Sequence, residues 1–592
     1  MKRGFNIGQN TLNGKQQIID FDDMFLHWLV VGGTGRGKSK MLELRMRYHL
    51  DNNHGLILLD PHGTLYDDLL VYVTVAGYRN RVVLINPNDS ENSVGLNFLK
   101  PNGMDVSAHA SQVMKAIAKV FGEAEGETKP RLERWQRNLL ISLIEANLTL
   151  ADMLDFLSVS SSLYRESVLD NVQNNYVKRE WQGFDAITKR SEKENLIEAP
   201  LNRAAKMILS DPIRRIIGQT ESTVDIGEAI EKGKIILVNL APLKVSRECQ
   251  QILGILIVDQ IMNYAFQRTK RQAKKPFFVI ADEAAELTSN DLPYSLQALR
   301  KFGIYFTLCY QTLTQIRRIP GYYENVMTNC DVKIAFKSSR QDSEELVGEL
   351  FAGQIHGDNI KDEIYHTLLV PHETTREVIS TGESNSRTSG EVNTEGTSDS
   401  YGSGAGSSSS SSLGSASHLI PADGLMHLTD VHSMTDSESS GHASNDFSLS
   451  SSGSSSSFNK VSSDSVSESS NTSVVPFYEF LQEQELSNRQ FYSIEEVKEK
   501  YISWVMCQPQ RHAQIKLKDD KAIPLLIAFV NEVRAREKDC QKVVQRSNDK
   551  YALPATVVDK LIEERRLQIV QRESSVIDVT HEEEEIVSSR WQ

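Results

Sequence analysis

The stretch LVVGGTGRGKSKM, residues 29–41, has the residue spacing that is typical of loops that bind nucleotide phosphates. It fits the pattern G-x-x-x-x-G-K-[ST] through Gly32, Gly37, Lys38 and Ser39. Glycines let backbone amides surround an anion, the lysine contacts the β- and γ-phosphates, and the serine hydroxyl coordinates Mg²⁺. We therefore predict that this loop binds ATP and Mg²⁺. The predicted phosphate-binding residues are Gly32, Thr34, Gly35, Arg36, Gly37, Lys38, Ser39 and Lys40, and Ser39 is also a predicted Mg²⁺ ligand.

Two adjacent carboxylates form a second group suited to nucleotide hydrolysis. The apolar run 277–280 leads into Asp282 and Glu283. An acid at the end of a buried strand reaches the water shell of Mg²⁺, and its neighbour can orient or deprotonate the attacking water. We predict that Asp282 binds Mg²⁺ and that Glu283 is the catalytic base. An ordinary surface pair is the less favoured interpretation, because the same chain carries the phosphate-binding pattern.

Three further polar residues lie beside predicted strands. Gln311 ends the run 304–310, where a neutral amide can sense the γ-phosphate or align water. Arg300 lies just before that run and is a candidate to contact the phosphate of a neighbouring subunit. Arg340, after a later strand, is a competing candidate, and a structural ion pair is the alternative for either arginine. The predicted catalytic residues are therefore Glu283, Gln311 and Arg300.

Short apolar runs that alternate with helical patterns must position these residues. The runs cover residues 28–31, 55–63, 81–87, 233–242 and 276–287. They are typical of buried parallel strands whose carboxyl ends share one functional edge. The chain is thus predicted to be an α/β protein with a central, mostly parallel sheet. Asp60 and His62 emerge at that edge, where a simple turn and a role at the nucleotide or a subunit interface are equally open interpretations.

From about residue 105 to residue 201 the strand signal disappears. Residues 130–158 place apolar side chains at helical intervals with polar and basic residues between them. This pattern predicts an all-helical domain inserted into the sheet fold. Arg131, Arg134 and Arg137 share one stripe of a predicted helix, for which a solvated face is the more common explanation and a DNA or substrate contact is the alternative.

The composition restricts the partners and the compartment. The 592 residues carry a formal net charge of −14, which excludes a general basic coat and limits any DNA contact to a local surface such as a pore or a loop. The five cysteines include no C-x-x-C pair, which favours a reduced cytoplasm without a cysteine-based zinc site. No apolar run reaches 18 residues and no signal-peptide core is found, so we expect a cytoplasmic protein that reaches the inner membrane only through partners.

Two segments have compositions unlike that of a folded domain. Residues 384–473 are dominated by serine, with glycine, threonine, asparagine and acids, and are predicted to form a long disordered loop because they bury too little apolar surface. A passive linker is the default interpretation, although apolar residues in HLIPADGLMHLTD are suited to docking on a partner. Residues 541–592 join a charged helix to an acidic run, and a partner-recruiting tail and a fraying terminus are equally open.

The chain resembles the type IV secretion coupling proteins of the TraG and TraD kind, within the HerA/FtsK superfamily of DNA-pumping ATPases. The resemblance lies in six ordered motifs, VVGGTGRGKS, LILLDPHG, GKIILVNL, FFVIADEA, LRKFGIYFTLCYQT and VKIAFKSSRQDSEEL, and resumes near VPFYEFLQEQELSNRQFYSIEEVKEKYI. It implies a RecA-like P-loop ATPase core with an all-helical insert, a homohexameric ring, and ATP hydrolysis coupled to movement of DNA. It also implies phosphate and Mg²⁺ roles for Lys38 and Ser39, the Walker B role for Asp282, the base role for Glu283 and a sensor role for Gln311.

These patterns together predict six segments and one main function. The segments are 1–104, the first part of the ATPase domain; 105–201, the helical insert; 202–383, the second part with the acidic pair; 384–473, the serine-rich insertion; 474–540, the end of the ATPase domain; and 541–592, the charged tail. The main hypothesis is a cytoplasmic, ring-forming, DNA-translocating ATPase with relaxase, relaxosome or secretion-channel partners. The alternatives are a HerA-like motor that works with a nuclease in DNA processing or defence, and an ATP-gated adapter that recruits a relaxase or effector without pumping.

Overall fold

The computed structural model describes residues 4–121, 129–317, 319–356, 360–384 and 467–570. Its strands are β1 (Phe5–Asn10), β2 (Gln16–Ile19), β3 (Trp28–Val31), β4 (Gly55–Asp60), β5 (Val82–Ile85), β6 (Asn92–Val94), β7 (Ile235–Asn239), β8 (Phe277–Ala281), β9 (Ile304–Tyr310), β10 (Val332–Phe336), β11 (Ile360–Ser384), β12 (Ser467–Phe491), β13 (His512–Leu517), β14 (Ile523–Ile527) and β15 (Ala552–Pro554). Its helices are α1 (Lys38–Asp51), α2 (Thr64–Val75), α3 (Val106–Val120), α4 (Pro130–Glu145), α5 (Met153–Leu157), α6 (Ser162–Asp170), α7 (Asn175–Asp185), α8 (Arg190–Ile208), α9 (Asp211–Ile217), α10 (Ile226–Glu231), α11 (Arg247–Gln267), α12 (Ala284–Leu287), α13 (Leu292–Lys301), α14 (Thr314–Arg317), α15 (Tyr322–Asn329), α16 (Arg340–Leu350), α17 (Ile494–Met506), α18 (Glu537–Tyr551) and α19 (555–570). Within these ranges, no helix has both the length and the apolar composition required to cross a bilayer.

The central sheet has 11 strands in the order β2-β1-β14-β13-β10-β3-β9-β8-β4-β7-β5. The strands from β10 to β5 in this order are mutually parallel. On the other side of β10, the strands β13, β14, β1 and β2 continue the sheet in antiparallel pairs. The predicted α/β class with a mostly parallel central sheet is therefore confirmed. The carboxyl ends of the parallel strands form one edge of the sheet, which we call the carboxyl edge, and their amino ends form the opposite amino edge.

Side chains on the parallel strands alternate between two hydrophobic clusters, one on each face of the sheet. Val30 and Phe278 join the cluster that contains residues of α1 and α2. Their chain neighbours Val31 and Val279 join the cluster that contains α11 and the helical segment described next. Because helices cover both faces, these strands are apolar along most of their length, as is typical of parallel sheets.

Helices α3 to α9 form the predicted all-helical insertion between strands of the sheet. Aromatic residues of α4 and α7 form part of its core, with the rings of Trp135 and Trp181 at 4.9 Å and those of Trp181 and Phe184 at 5.6 Å. The predicted boundary at residue 201 falls inside α8, which continues to Ile208 because its last turns still bury apolar side chains. The helical segment is therefore longer than its sequence pattern indicates.

The C-terminal part of the chain folds back onto the edge of the sheet. Helix α18 packs against the edge strand β5, where the Leu84 N–H donates a 2.9 Å hydrogen bond to Ser547 Oγ, and β15 pairs with β6. Such a cover satisfies the backbone of an edge strand that would otherwise remain open. Residues 541–570, predicted to be part of a tail, thus belong to the folded unit, and residues 571–592 lie outside the described ranges.

Helix α19 is held to the helical segment by Arg565. Its guanidinium pairs with the buried carboxylate of Asp152 at 3.0 Å and donates hydrogen bonds to Thr149, Thr220 and the Gly218 carbonyl. A buried ion pair of this kind is costly to break, because removing one partner leaves the other charge without compensation. This ion pair connects residues that lie far apart in the sequence.

We expect Arg565→Ala to destabilise the protein by about 3 kcal/mol, since the buried Asp152 carboxylate would lose its cationic partner. Arg566→Ala is the matched control, because Arg566 lies next to Arg565 on α19. It pairs with Asp155 of α5 at 3.1 Å, but its side chain is 51% exposed. The control should cost less than about 1 kcal/mol. Denaturant midpoints and hydrogen exchange of α19 measure the difference, and equal effects of the two substitutions would contradict the assigned role of Arg565.

Strands β11 and β12 pair only with each other in an antiparallel ribbon that runs from Ile360 opposite Phe491 to Ser384 opposite Ser467. The described residues of the ribbon form a unit separate from the unit that contains the central sheet. The residues of both strands were predicted to lie largely in the ATPase domain. In the structure each strand takes its backbone partners from the other, and neither joins the central sheet. The serine-rich segment predicted between them lies outside the described ranges from residue 385 to residue 466.

Candidate active site

The phosphate-binding loop, residues 32–39, connects β3 to the start of α1 at the carboxyl edge. Gly37 is the N-cap residue of α1 with a φ of 113°, a conformation that favours glycine. Gly32 lies against β10, where a Cβ atom would come within 2.5 Å of Phe336 Cβ. Within the described residues no side chain caps the first turn of α1, so its backbone amides are free to bind phosphate oxygens.

The two lysines at the start of α1 have different surroundings. Lys38 is buried, and its Nζ donates a hydrogen bond to the Gly33 carbonyl at 3.2 Å, which keeps its charge within the loop. Lys40 Nζ instead pairs with Glu43 at 2.8 Å and with Asp68 at 2.7 Å. The Lys40 side chain therefore points to α2 rather than to the loop. Only its backbone amide is placed to contribute to the predicted phosphate site.

The other predicted residues of the loop lie where a nucleotide can reach them. Thr34, Gly35 and Ser39 are exposed. The carbonyl of Arg36 accepts a 2.9 Å hydrogen bond from the N–H of Arg511, which precedes β13. This contact fixes the outer side of the loop. Arg511 could not be predicted from the sequence, because nothing in its local sequence indicates a contact with a motif near the other end of the chain.

Asp282 lies at the carboxyl end of β8, two strands from β3 in the sheet. Its carboxyl group is buried beside Cys309 of β9. Burial raises the pKa of Asp282, the nearby Asp60 raises it further, and the positive charge of Lys38 opposes the shift. Asp282 and Lys38, the lysine predicted to bind phosphate, are thus close enough to interact, as the sequence predicts for residues at one edge of a parallel sheet.

Glu283 has an uncommon backbone conformation, with a φ of 53° and a ψ of 51° at the N-cap of α12. A residue other than glycine rarely adopts this left-handed conformation, and such residues cluster at functional sites. The Glu283 carboxyl group is buried and lies near the side chains of Gln311 and His62. Burial raises the pKa of Glu283, and the Gln311 amide beside it opposes the shift.

Asp60 is a turn residue at this edge. Its Oδ1 accepts a 2.9 Å hydrogen bond from the His62 N–H, and its Oδ2 accepts a 2.8 Å bond from the Tyr66 N–H. Both carboxylate oxygens therefore hold the loop between β4 and α2, which supports the turn interpretation. His62 is the exposed residue of this loop and lies close to Asp282 and Glu283. Its position after a strand end was the only signal for it in the sequence.

The two candidate arginines lie at opposite edges of the sheet. Arg300 precedes β9 at the amino edge and pairs with Asp331 at 2.6 Å. The seven residues of β9 separate Arg300 from Gln311, a distance of about 20 Å at the usual rise per residue. Arg340 follows β10 near the carboxyl edge, and it pairs with Glu344 and Glu499. The structure therefore does not bring Arg300 to the phosphate-binding loop of its own chain.

The side chains of the site suit a Mg²⁺ ion that is shared with a nucleotide. The described part of the chain has no group of three His, Cys, Asp or Glu side chains arranged to hold a metal alone. Mg²⁺ is usually held by one or two protein ligands together with substrate phosphates and water. The predicted ligands Ser39 and Asp282 lie at the same edge, beside uncapped helix amides that favour phosphate, so the residues fit this kind of site.

A comparison with protein-family models gives a match over residues 22–437, well over half of the chain. The matching family is described as the type IV secretion-system coupling protein DNA-binding domain. No curated protein sequence matches the chain.

The chain is also similar to solved structures at low identity. One is the bacterial conjugative coupling protein TrwBdeltaN70 in an unbound monoclinic form, with 14% identity, a TM-score of 0.45, and coverage of 89% of this chain and 91% of that one. Another is the plasmid coupling protein TrwB in complex with ADP and Mg²⁺, with 16% identity, a TM-score of 0.39, and coverage of 58% and 78%. A third is VirB4 of Thermoanaerobacter pseudethanolicus, with 13% identity, a TM-score of 0.41, and coverage of 59% and 88%.

Proposed function

Since the chain belongs to the family of type IV secretion-system coupling proteins, we propose that it is a ring-forming ATPase that couples ATP hydrolysis to movement of DNA. The observation that carries this proposal is the meeting of three buried ionisable residues, Lys38, Asp282 and Glu283, at the carboxyl edge. A protein that only bound ATP would need the phosphate-binding loop. It would have no need to hold a second carboxylate in a strained conformation beside the first.

The loop and Lys38 bind the triphosphate in this proposal. The free amides at the start of α1 hold the β- and γ-phosphate oxygens, and the Lys38 ammonium neutralises the charge that develops as the terminal bond breaks. Ser39 and Asp282 are the residues that would hold Mg²⁺. When bound there, Mg²⁺ would supply positive charge that offsets the negative charge of the triphosphate.

Glu283 is the residue that activates water. Its carboxyl group is buried, and burial raises its pKa towards neutral pH. A pKa shifted in this direction suits a group that takes up a proton and returns it. Gln311 lies beside Glu283, where its amide can orient the carboxylate and sense the γ-phosphate. The same contact gives a route by which the presence of the γ-phosphate changes the position of β9 and the segment after it.

In a ring of subunits, Arg300 can contact a phosphate bound by a neighbouring subunit, a role that it cannot have within a single subunit. Arg300 is too far from the phosphate-binding loop of its own chain to contact it, so a contact with a phosphate would have to be made with a neighbouring subunit. A head-to-tail arrangement of identical subunits closes into a ring and presents one edge of each subunit to the next. We infer a homohexamer of this kind, with relaxase or relaxosome components and secretion-channel proteins as partners and with any association with the inner membrane made through them.

The charge of the protein restricts how it contacts DNA. With a net charge of −14, only local basic surfaces can bind phosphodiesters. One candidate is the face of α4 that carries Arg131, Arg134 and Arg137, all of which are exposed. Of these, Arg134 is partly engaged by Glu180 at 3.6 Å. Contacts of this type are independent of base sequence and become strong only when several subunits present them together.

DNA should therefore stimulate ATP hydrolysis several-fold in the assembled protein, and the stimulation should fade as salt is raised from about 50 to about 200 mM, because phosphate contacts release counterions. Steady-state phosphate release against DNA concentration at two salt levels measures this effect. Light scattering on the same samples establishes the assembly state. A random-sequence duplex and a single strand of equal length show which form is preferred.

The same measurement separates the alternatives. A flat response to DNA from assembled protein with normal basal turnover would contradict the motor and favour an ATP-gated adapter. A HerA-like motor that works with a nuclease would respond to DNA in the same way, so its distinction depends on the partners recovered with the protein.

A further inference from the structure

The outer antiparallel strands reach the carboxyl edge beside the phosphate-binding loop. Arg511, the residue before β13, has a left-handed backbone with a φ of 66°. Its N–H donates to the Arg36 carbonyl at 2.9 Å, and a Cβ atom on Gly37 would lie 3.3 Å from its Cα. For a residue other than glycine this backbone conformation costs about 1–3 kcal/mol, and it persists only where surrounding contacts impose it. Arg511 is therefore fixed tightly against the loop that holds the phosphates.

Phe529 lies beside Arg511. It follows the end of β14, which runs antiparallel to β13 and so finishes at the same edge. The Arg511 guanidinium donates to the Ile527 carbonyl at 2.6 Å and lies over the Phe529 ring, with 5.4 Å between the guanidinium carbon and the ring centroid. Phe529 is nevertheless 68% exposed. An aromatic ring that is held by a cation and still open to solvent is a platform with a free face.

The segment that carries Phe529 is anchored on both sides of the ring. The Ala528 N–H donates to the Ile7 carbonyl of β1 at 2.9 Å, and Arg47 of α1 donates to the Asn531 carbonyl at 2.8 Å. Because α1 begins within the phosphate-binding loop, these bonds hold the segment along the flank of the helix that anchors the phosphates. The ring thus has a fixed position near the nucleotide site.

We propose that Phe529, with Arg511 holding it, is the platform on which the base of the bound nucleotide stacks. This proposal rests on the proposed function, since it concerns the nucleotide that the phosphate-binding loop holds. Stacking on an aromatic face depends on the area of the base, and it tolerates different patterns of hydrogen-bonding groups. The site therefore takes purine nucleoside triphosphates, prefers them to pyrimidine ones, and distinguishes adenine from guanine weakly.

The test compares the full-length wild type with Phe529→Ala, using ATP, GTP, CTP and inorganic tripolyphosphate as probes. Phe529→Ala should weaken ATP binding about tenfold, within the range of base–aromatic stacking, and leave tripolyphosphate binding unchanged. The KM for ATP should rise by a similar factor while kcat stays within about twofold, because stacking acts equally on bound substrate and transition state. Phe529→Tyr should retain the wild-type affinity and KM for ATP. Phe266→Ala is the matched control, because Phe266 is 45% exposed on α11 and packs against Phe302.

Arg511→Gly supplies an independent variant, since glycine adopts the same φ without strain and only the side chain is lost. It should lower ATP affinity in the same direction as Phe529→Ala and leave tripolyphosphate affinity unchanged. Equal losses of ATP and tripolyphosphate affinity in Phe529→Ala would overturn the proposal, as would unchanged ATP affinity or a defect confined to assembly. If the wild type itself bound neither ATP nor tripolyphosphate, the proposed ATPase function would fail instead.

Discussion

Lys38→Ala is expected to abolish ATP turnover and to leave the protein folded. The Lys38 ammonium makes one hydrogen bond within its own loop, to the Gly33 carbonyl, and its charge is otherwise directed at the phosphate site. Loss of this charge removes transition-state stabilisation and should lower turnover by at least about 1000-fold, or roughly 4 kcal/mol. The cost to folding should be small, because burying the Lys38 charge is itself unfavourable and the ammonium makes one hydrogen bond rather than a close ion pair.

Phosphate release and thermal unfolding must be measured on the same preparation. Lys115→Ala is a suitable control, since it also removes a lysine but one that is exposed and pairs with Asp291 at 3.1 Å. The control should keep wild-type turnover. Normal hydrolysis by a folded Lys38→Ala protein would remove the phosphate-binding loop from the proposed mechanism.

The parallel part of the fold could be predicted because burial on both faces makes its strands apolar throughout. The runs at 28–31 and 277–280 coincide with β3 and β8 almost to the residue. The antiparallel strands have no comparable signal. β13, with the sequence HAQIKL, mixes polar and apolar residues and pairs with β10, which lies far away in the chain. Pairing over such a distance depends on the three-dimensional neighbours, which periodicity alone does not reveal.

The site shows the same division between local and distant information. Gly37, Lys38 and Asp282 could be located from the sequence, since a strand end and a helix start fix their positions. The direction of the Lys40 side chain could not, because its acidic partner Asp68 belongs to the next helix. Arg511 could not be found either, because its contact with the loop depends on how the outer strands join the sheet.

Glu283→Gln is expected to keep ATP binding and lose turnover. Glutamine has nearly the same shape, so the α12 N-cap conformation and the contact with Gln311 can persist while the basic oxygen is lost. The residues that bind phosphate and Mg²⁺, Lys38, Ser39 and Asp282, are unchanged. Loss of a general base lowers rates by about 10²- to 10⁴-fold. The variant should therefore hold unhydrolysed ATP and favour any assembly that ATP promotes.

Nucleotide affinity and turnover should be measured together, with Glu194→Gln as the control. Glu194 is exposed on α8 and pairs with Arg190 at 2.8 Å, so its loss should leave turnover unchanged. The pH dependence gives a second criterion. A base works in its ionised form, so wild-type turnover should fall as the pH decreases through the raised pKa of Glu283, and Glu283→Gln should lose this dependence. Parallel loss of ATP affinity and turnover would show instead that Glu283 contributes to binding, and the catalytic assignment would then be wrong.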